Sequence, residues 1–461
     1  MSKFRAAIIG GGIAGLSAGF FLRKKFGNDC TLAIYEKDRR LGGTIGMTRA
    51  NGFTIDWGPN GFLDKEPKTL EFVDQIGLTD KLLPADLKSE RRFIYRNRKL
   101  WEISANPGKF MKSGLLSLRG RLRIPLEYFI PAKKNDSPES VYDFAARRIG
   151  REPAEVMIDP MVSGIFGGDA EKLELESCFP IMAQMEKHYG GLIRAMLKKK
   201  KASKGKPKSG GPAGPSGHLT SFKGGLYTII ERLEELLKEQ VRYPAAVTQI
   251  SQNLQGKYVL SGEGFEDECD IAIVAAPSYV TAKLVDRLDS ELSELLAAIP
   301  YSNLAVVCQG FNLNNVGHAL DGFGFLIPHN QNMNILGSIW TSVIFPEQAP
   351  AGFALLRTML GGAKNNEIIK KSEDEIAGIA LEELKPILDL KAAPDYSQVI
   401  KWDRAIPQYI LGHKQHCENI ENRLVQFRGL YLAGNAYSGI GLNDTIKRSF
   451  NIVENIIPPE N

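Results

Sequence analysis

The chain has 461 residues, of which 43% are apolar, so it is too long for one compact core and ordinary for a globular protein of two or three domains. Its 58 basic and 53 acidic residues leave a net charge of +5, which is mild and gives no argument for nucleic-acid binding. Five scattered cysteines without a CxxC pair indicate a reducing compartment without disulfides. No apolar run reaches the ~18 to 20 residues of a spanning helix, and the first predicted strand leaves no room for a targeting peptide. We therefore expect a cytoplasmic protein that is soluble or bound to one membrane face.

The first predicted elements are a strand, a glycine-rich turn and a helix. Residues 6–9 form a short apolar run, and residues 13–26 carry apolar residues at helical spacing. The glycines between them have the GxGxxG spacing of a dinucleotide-binding turn, which allows a tight turn, the close approach of a pyrophosphate and close helix packing. The predicted cofactor contacts in this turn are Gly10, Gly11, Gly12, Ile13, Ala14 and Gly15.

A second strand, predicted at residues 31–35, ends at a carboxylate that is placed to accept hydrogen bonds from ribose hydroxyls. A basic stretch with a glycine pair follows and suits a second phosphate group, and another tight turn comes after it. A nicotinamide enzyme would continue into ordinary alternating strands and helices, so this ordered set of turns indicates FAD. The predicted contacts here are Glu36, Lys37, Arg40, Gly42, Gly43 and Thr44, with Gly58, Pro59, Asn60 and Gly61.

Two segments differ in composition from the rest of the chain. Residues 198–217 are rich in Lys, Gly, Pro and Ser, and we expect a mobile loop there. Residues 106–130 mix basic side chains such as Arg119 and Arg121 with apolar ones such as Leu122. That mixture is typical of a peripheral membrane contact and equally of a packed core with a solvated basic face, and the sequence leaves both interpretations open.

Short apolar runs separated by turn residues predict a three-stranded meander and then a second sheet. The meander is predicted at 246–250, 256–260 and 269–274, and the second sheet at 305–309, 324–328, 334–340 and 353–360. Ser372 and Glu375 have the form of a capping box, which predicts a helix that ends near Lys385, before Pro386. A third glycine cluster follows near the C-terminus, with predicted cofactor contacts at Gly434, Ile440, Gly441 and Leu442.

The sequence carries no motif for hydrolytic or metal-dependent catalysis. The patterns GxSxG, HExxH and the Walker loop do not occur. His413, His416 and Cys417 lack a fourth ligand, so we interpret them as structural residues and predict no metal site. We therefore expect the chemistry to come from the flavin, with no catalytic side chain.

Several distinctive strings are typical of one known family. They are Arg92-Phe93-Ile94-Tyr95, VSGIFGGD at 162–169, SFKGGL at 221–226, Trp402 followed by AIPQY at 405–409, and Gly412-His413. By these strings the chain resembles the FAD-dependent protoporphyrinogen oxidases over nearly its whole length. The resemblance implies an α/β fold with a Rossmann-like FAD domain, a mixed-sheet substrate domain and a helical domain that docks on the membrane in some members.

The implied domains interleave along the chain. The FAD domain is predicted in three parts, at 1–80, 218–296 and 397–461. A helical, substrate-lining and membrane-contacting region is predicted at 81–217, and the substrate domain at 297–396.

The resemblance also implies roles for particular residues. Arg92 would pair with a propionate of the substrate, and Leu326, Ile339 and Met359 would pack against its macrocycle, with Gly164 beside them. Some relatives have Phe where this chain has Met359, so we expect a looser or differently shaped clamp. Two further flavin contacts are implied, by Trp402 and by the backbone of Val247.

The implied reaction is the oxidation of protoporphyrinogen IX to protoporphyrin IX in three two-electron hydride transfers to FAD, with dioxygen as acceptor, in haem biosynthesis. Three alternatives stay open: coproporphyrinogen III as the substrate, another flavin amine oxidase or desaturase, and a flavin-free binding protein of the same fold. The expected partners are the porphyrinogen, dioxygen and one membrane surface, without nucleic acid. The sequence leaves the oligomeric state open, with a homodimer as one alternative.

Overall fold

The computed structural model describes residues 3–104, 106–202 and 217–459. Its strands, in chain order, are β1 (Phe4–Ile9), β2 (Cys30–Tyr35), β3 (Met47–Ala50), β4 (Phe53–Asp56), β5 (Phe62–Leu63), β6 (Leu82–Pro84), β7 (Phe93–Arg96), β8 (Lys99–Glu102), β9 (Leu219–Phe222), β10 (Val241–Arg242), β11 (Val247–Gln252), β12 (Tyr258–Gly262), β13 (Phe265–Cys269), β14 (Ile271–Val274), β15 (Tyr301–Asn312), β16 (Gly324–Leu326), β17 (Ile335–Trp340), β18 (Phe353–Gly361), β19 (Tyr396–Pro407) and β20 (Leu430–Leu432).

The helices in the same ranges are α1 (Ile13–Phe26), α2 (Pro67–Gln75), α3 (Pro107–Lys112), α4 (Leu118–Arg123), α5 (Val141–Ile149), α6 (Arg151–Pro153), α7 (Asp159–Phe166), α8 (Leu175–Cys178), α9 (Pro180–Tyr189), α10 (Leu192–Ala202), α11 (Thr228–Leu236), α12 (Ser278–Val285), α13 (Ser290–Ala297), α14 (Thr341–Ile344), α15 (Glu373–Leu388), α16 (His413–Leu424) and α17 (Leu442–Glu454).

A five-stranded parallel sheet carries the first and third glycine clusters. Its order is β10-β2-β1-β14-β20, so β1 lies near the middle. One face packs on α1, α11 and α17 through side chains such as Ile8 and Ile446, and the other packs on α12, α13 and the meander through side chains such as Val274. Both faces are covered, which explains the uninterrupted apolar runs of these strands. The predicted strand-turn-helix-strand unit at the N-terminus is confirmed.

The meander differs from its prediction in its third strand. β11, β12 and β13 form the antiparallel sheet, so the third strand is Phe265–Cys269. The run that we predicted as the third strand falls mainly in β14, which pairs in parallel with β1 and β20. The reason is burial: all four residues of β14 are buried, which suits the centre of a covered sheet and not the half-exposed meander.

A seven-stranded mixed sheet forms the second layer, in the order β19-β15-β18-β17-β16-β7-β8. The four strands predicted for a second sheet are confirmed as parts of β15, β16, β17 and β18. The sheet also takes in β7 and β8 from the region predicted as helical, and β19, which extends past the predicted boundary at residue 396. β19 belongs to this sheet because it pairs with β15 along nearly the whole length of that strand.

Helix α15 covers the outer face of this sheet. Ser372 and Glu375 form the predicted capping box, with Ser372 Oγ accepting from Glu375 N at 3.2 Å. The prediction that the helix ends before Pro386 is wrong, because α15 continues through Pro386 to Leu388. A proline so near the end of a helix removes only one hydrogen bond of the last turn.

Helices α3 to α10 form a separate layer around a buried ion-pair network. Arg148 is fully buried, its Nε donates to Glu127 Oε1 at 2.7 Å, and its Nη1 donates to Glu186 Oε1 at 3.2 Å. The first residues of the predicted loop at 198–217 belong to α10, and residues 203–216 lie outside the described residues. Across the described ranges, no helix has both the length and the apolar character needed to cross a membrane.

Candidate functional site

The glycine turn between β1 and α1 has the space and the tight contacts of a nucleotide-binding turn. Gly10 has φ +114°, and its N donates to Tyr35 O at 2.8 Å. A Cβ on Gly15 would lie 1.9 Å from Gly10 O, so only glycine lets the helix pack this closely. A Cβ on Gly12 would meet only Gly43 Cα, at 3.9 Å. The space in front of Gly12 is therefore open to a ligand. Gly11, Ile13 and Ala14 lie in the same turn and first helical residues.

Glu36 ends β2 beside this turn and is buried. Its Oε2 accepts from Gly11 N at 2.8 Å, and its Oε1 accepts from Asp38 N at 2.9 Å. These bonds fix the carboxylate, and each oxygen keeps acceptor capacity for a ribose hydroxyl. Lys37, by contrast, has a side chain that is 64% exposed, and its Nζ lies 2.7 Å from Asp38 Oδ1.

The second glycine cluster folds back onto the first. Gly42 N donates to Gly11 O at 2.8 Å. Arg40 does not extend into open space: its Nη2 donates to Gly43 O at 2.7 Å, and its guanidinium lies 4.6 Å from the ring centre of Trp57. Arg40 therefore holds the loop in shape, whereas the side chain of Thr44 is exposed.

The turn at Gly58, Pro59, Asn60 and Gly61 lies next to that loop. A Cβ on Gly58 would meet Thr44 O at 2.2 Å. Asn60 Nδ2 is buried without a hydrogen-bond partner, and so is Asn443 Oδ1 in α17. Buried polar atoms are nearly always paired, so these two indicate a polar group that binds there.

The third glycine cluster brings a second helix N-terminus to the site. Ser449 Oγ donates to Ala14 O at 2.9 Å, and Lys25 Nζ donates to Glu454 O at 2.6 Å, so α1 and α17 run side by side in the same direction. Both N-termini therefore face the same end, where free N–H groups favour an anion. Ile440, Gly441 and Leu442 form the start of α17, and a Cβ on Gly434 would meet nothing within 4 Å.

The remaining predicted cofactor contacts lie in strands at the edge of this space. Trp402, in β19, donates its Nε1 to Trp57 O at 3.3 Å. Val247 begins β11, next to the segment where Ala245 N donates to Glu36 O at 2.7 Å. The predicted cofactor residues thus lie in the three glycine-rich turns and in strands next to them; Lys37, Gly43, Thr44, Pro59 and Gly441 are solvent-exposed.

The predicted substrate residues lie on one face of the seven-stranded sheet. Leu326 pairs with Gly337, and Gly337 pairs with Met359, which places the three in a row across β16, β17 and β18. Ile339 is two residues from Gly337 and therefore on the same face. α7 crosses this face, because a Cβ on Gly164 would lie 2.7 Å from Leu326 Cδ2. Met359 packs with Val306, Trp57 and Trp402 at the cofactor side.

Arg92 lies at the end of this face, next to β7. Its guanidinium has no ion pair within the described residues, its Nε is buried without a partner, and its charge lies 4.4 Å from the ring centre of Phe323. Burial lowers its pKa from the ordinary value. A half-buried guanidinium without a protein counterion is suited to bind an anion.

The sequence analysis missed Arg357. It lies in β18 two residues before Met359 and is 7% exposed. Its Nη2 donates to Gly58 O and, at 3.4 Å, to Trp57 O, and its Nε is buried without a partner. The sequence did contain a signal for Arg357. It is a charged residue inside the apolar run of β18, and its spacing of two from Met359 places both side chains on the same face of the strand.

Asp56, immediately before Trp57, was missed as well. Its carboxylate accepts from Gln348 Nε2 at 2.8 Å and from Leu226 N at 3.1 Å. Burial raises its pKa to about 6. The charge of Arg357 acts on this carboxylate and lowers its pKa, but Gln348 and Leu226 supply its hydrogen bonds.

Comparison with known proteins agrees with this geometry. The family described as "Flavin containing amine oxidoreductase" matches residues 13–457. The chain belongs to this family. It is 31% identical to the coproporphyrinogen III oxidase of Bacillus subtilis (strain 168), over 96% of each chain. It is 27% identical to the mitochondrial protoporphyrinogen oxidase of Nicotiana tabacum, over 99% of this chain and 95% of that one.

Solved structures show the same fold. The protein named "Putative protoporphyrinogen oxidase" from Exiguobacterium sp. 255-15 superposes with a TM-score of 0.84 at 24% identity over 98% of both chains. A UDP-galactopyranose mutase superposes with a TM-score of 0.73 at 15% identity, over 98% of this chain and 95% of that one. The chain therefore has the fold of the flavin amine oxidases.

The residues present fit FAD, the cofactor of this family. Gly12 and Gly434 leave open space, Glu36 is fixed beside the glycine turn, and Asn60 and Asn443 each offer a buried polar atom without a partner. Two helix N-termini face the same end, where their free N–H groups favour phosphate. The chain is an FAD-dependent oxidoreductase.

Histidine and cysteine side chains near the site are held by protein partners. His413 stacks on Tyr409 at 4.2 Å, and its Nε2 lies 3.3 Å from Cys417 Sγ, while His416 Nε2 bonds to Leu295 O at 2.7 Å. His329 lies with its Nδ1 2.5 Å from Asp159 Oδ2, so this pair joins α7 to the turn between β16 and β17.

Proposed function

We propose that this chain oxidises a porphyrinogen to the corresponding porphyrin in haem biosynthesis, in three two-electron steps with dioxygen as the final acceptor. Relatives named coproporphyrinogen III oxidase and protoporphyrinogen oxidase support the substrate class. The structural observation that carries the proposal is the half-buried Arg92, whose Nε has no partner, at the end of an apolar face beside the cofactor region. A tetrapyrrole macrocycle with a carboxylate at its edge fits such a face.

The residues of the chain bind and orient the substrate in this proposal. Arg92 binds a propionate bidentately, because its planar fork matches a carboxylate. Leu326, Ile339 and Met359 hold the macrocycle from one face of the sheet. When bound, FAD supplies the hydride acceptor. No side-chain base is required to start the reaction, and the apolar contacts exclude water from the reacting carbon.

Two substrates are candidates. Protoporphyrinogen IX, the first prediction from the sequence, carries two propionates. The region around Arg92 alone would be enough to bind them. Coproporphyrinogen III carries four, and the second buried guanidinium, Arg357, favours it.

Porphyrin fluorescence tests the proposal directly. Purified holoprotein is mixed in air with freshly reduced protoporphyrinogen IX and, in parallel, with coproporphyrinogen III. We expect porphyrin to form much faster than in protein-free and heat-inactivated controls, with consumption of dioxygen. A yellow, folded protein that accelerates neither reaction would refute the proposal and leave the flavin oxidoreductase assignment intact.

We also propose that the helical layer docks on a membrane surface from the cytoplasmic side. Leu118 and Leu122 on α4 and Leu126 and Phe129 after it are each at least half exposed. Leu115 and Leu116, earlier in the same segment, are buried. Residues 106–130 therefore contain exposed apolar side chains, as a membrane contact needs, and buried apolar side chains, as in a packed core.

A further inference from the structure

Arg357 and Arg92 lie in one row across the substrate face of the sheet. Arg357 pairs with Ile339, and Ile339 pairs with Gly324. β16 runs parallel to β7 with Phe325 beside Phe93, so Arg92 falls next to Gly324. Three strand spacings separate the two arginines, which is about 14 Å between their backbones. Only Ile339 and a glycine lie between them in this row.

The two arginines share an unusual charge environment. Each has a buried Nε without a hydrogen-bond partner, and neither has an ion pair in the part of the chain that the structure describes. Arg357 is 93% buried; its Nη2 donates to the backbone carbonyls of Trp57 and Gly58, and its side chain also interacts with Cys308 on the neighbouring strand and with the charge of Asp56. The other buried arginine, Arg148, has two glutamate partners, as a buried cation ordinarily does.

We infer that Arg357 is a second carboxylate-binding residue of the substrate site, and that the site is built for a tetrapyrrole with carboxylates on opposite sides of its ring. This inference rests on the proposed function. The carboxylate at one side pairs with Arg92 and the carboxylate at the other side pairs with Arg357. Coproporphyrinogen III has a propionate on every pyrrole ring and meets both arginines.

Protoporphyrinogen IX meets only one of them. Its two propionates are on neighbouring rings, so a molecule bound through Arg92 places a vinyl group at the Arg357 side. The guanidinium of Arg357 then stays unpaired, as in the free protein, so protoporphyrinogen IX gains no binding energy from it. Arg357 thereby selects the substrate with four propionates.

The test compares Arg357→Met, Arg357→Lys, Arg92→Met and the unaltered holoprotein. Binding of the two products, coproporphyrin III and protoporphyrin IX, is measured by fluorescence titration in matched detergent, and kcat/KM is measured with both porphyrinogens. We expect Arg357→Met to lose roughly 10- to 100-fold with the coproporphyrin pair and to change by less than about threefold with the protoporphyrin pair. Arg92→Met should weaken both.

Arg91→Met is the matched control. Arg91 is next to Arg92 in sequence, but its guanidinium is exposed and paired with Glu102 and Asp321. It should leave both affinities unchanged. Arg357→Lys keeps the charge, so it should keep most of the preference even if Arg357→Met holds FAD poorly; bound flavin is quantified for every variant by its absorbance.

The outcomes separate the inference from the function on which it rests. Oxidation of neither porphyrinogen by the unaltered protein refutes the proposed function. Oxidation that Arg357→Met and Arg357→Lys weaken equally for both substrates overturns the inference alone. Loss of flavin affinity with an unchanged substrate preference also overturns it and assigns Arg357 to the cofactor.

Discussion

Burial sets the protonation of His413. Its side chain is buried against Tyr409, and burial lowers its pKa to about 4. An unfolded chain has a histidine pKa near 6.5. Between these values the unfolded chain binds a proton that the folded chain does not, so the stability falls as the pH decreases from about 6.5 to about 4. The contribution of this one group is at most about 3 kcal/mol.

Replacing His413 by Phe should remove this dependence. The stacking on Tyr409 is kept and the titrating group is lost, so we expect the melting temperature of His413→Phe to fall less between pH 7.5 and pH 5 than that of the unaltered protein. Scanning calorimetry at the two values measures it. The exposed His188 gives the control His188→Gln, which should follow the unaltered protein. Equal slopes for all three would show that His413 titrates normally.

Single residues also mark the limit of what the sequence reveals. The string around Arg92 identified that arginine, and the glycine spacing identified the turn at Gly10 to Gly15. Arg357 and the pair of His329 with Asp159 were missed, because their partners are distant in sequence. A local pattern contains no information about such partners; only strand pairing brings them together.

The glycine turn allows two roles of glycine to be separated experimentally. Gly12 has extended backbone at φ −74°, which any residue adopts, and open space beside its Cα. Gly12→Ala should therefore fold normally but bind FAD at least about tenfold more weakly, since a methyl group enters the space for the phosphates. Gly15→Ala meets Gly10 O at 1.9 Å and should destabilise the apoprotein by about 1 to 3 kcal/mol.

Melting temperature of the apoprotein and FAD affinity by flavin fluorescence measure the two effects. Gly378→Ala, on α15, is the control, because nothing lies within 4 Å of its added Cβ. Normal FAD affinity in Gly12→Ala would mean that the cofactor does not approach this glycine.

At the level of elements, it was easier to predict that a strand exists than to predict which sheet it joins. The run at 269–274 was correctly predicted to contain a strand but was assigned to the meander, because an isolated apolar run does not tell which neighbours will bury it. The continuation of α15 through Pro386 was missed for a similar reason. The buried residues Ile387 and Leu388 favour the last turn, and packing outweighs the local penalty of proline.

On the scale of the whole molecule, the exposed apolar residues of the helical layer form a rigid surface. Glu127 accepts from Leu192 N at 2.8 Å and from Ile193 N at 3.0 Å, which ties the turn at Leu126 and Phe129 to α10. Met196 and Leu197 on α10 are exposed as well. Apolar side chains held outward in this way are suited to a membrane interface.

Liposome flotation tests the proposed docking. We expect the double variant Leu122→Glu with Phe129→Glu to lose most of its association with anionic vesicles while its porphyrinogen oxidation in detergent is unchanged. Leu254→Glu is the control, since Leu254 is fully exposed on the distant meander. Arg121 and Arg123 are unsuitable for this test, because both donate to backbone carbonyls within the layer. Failure of the unaltered protein to float would contradict the proposal.

The order of strands in the parallel sheet has a consequence for the synthesis of the protein. β1 and β2 are synthesised before β14, which follows more than two hundred residues later, and β20 and α17 are synthesised after β14. The α17 N-terminus and Asn443 therefore reach the cofactor region only after these strands have been made. Because a ligand that binds only the folded state stabilises it, we expect free FAD to favour the folding step in which β20 and α17 join the earlier strands.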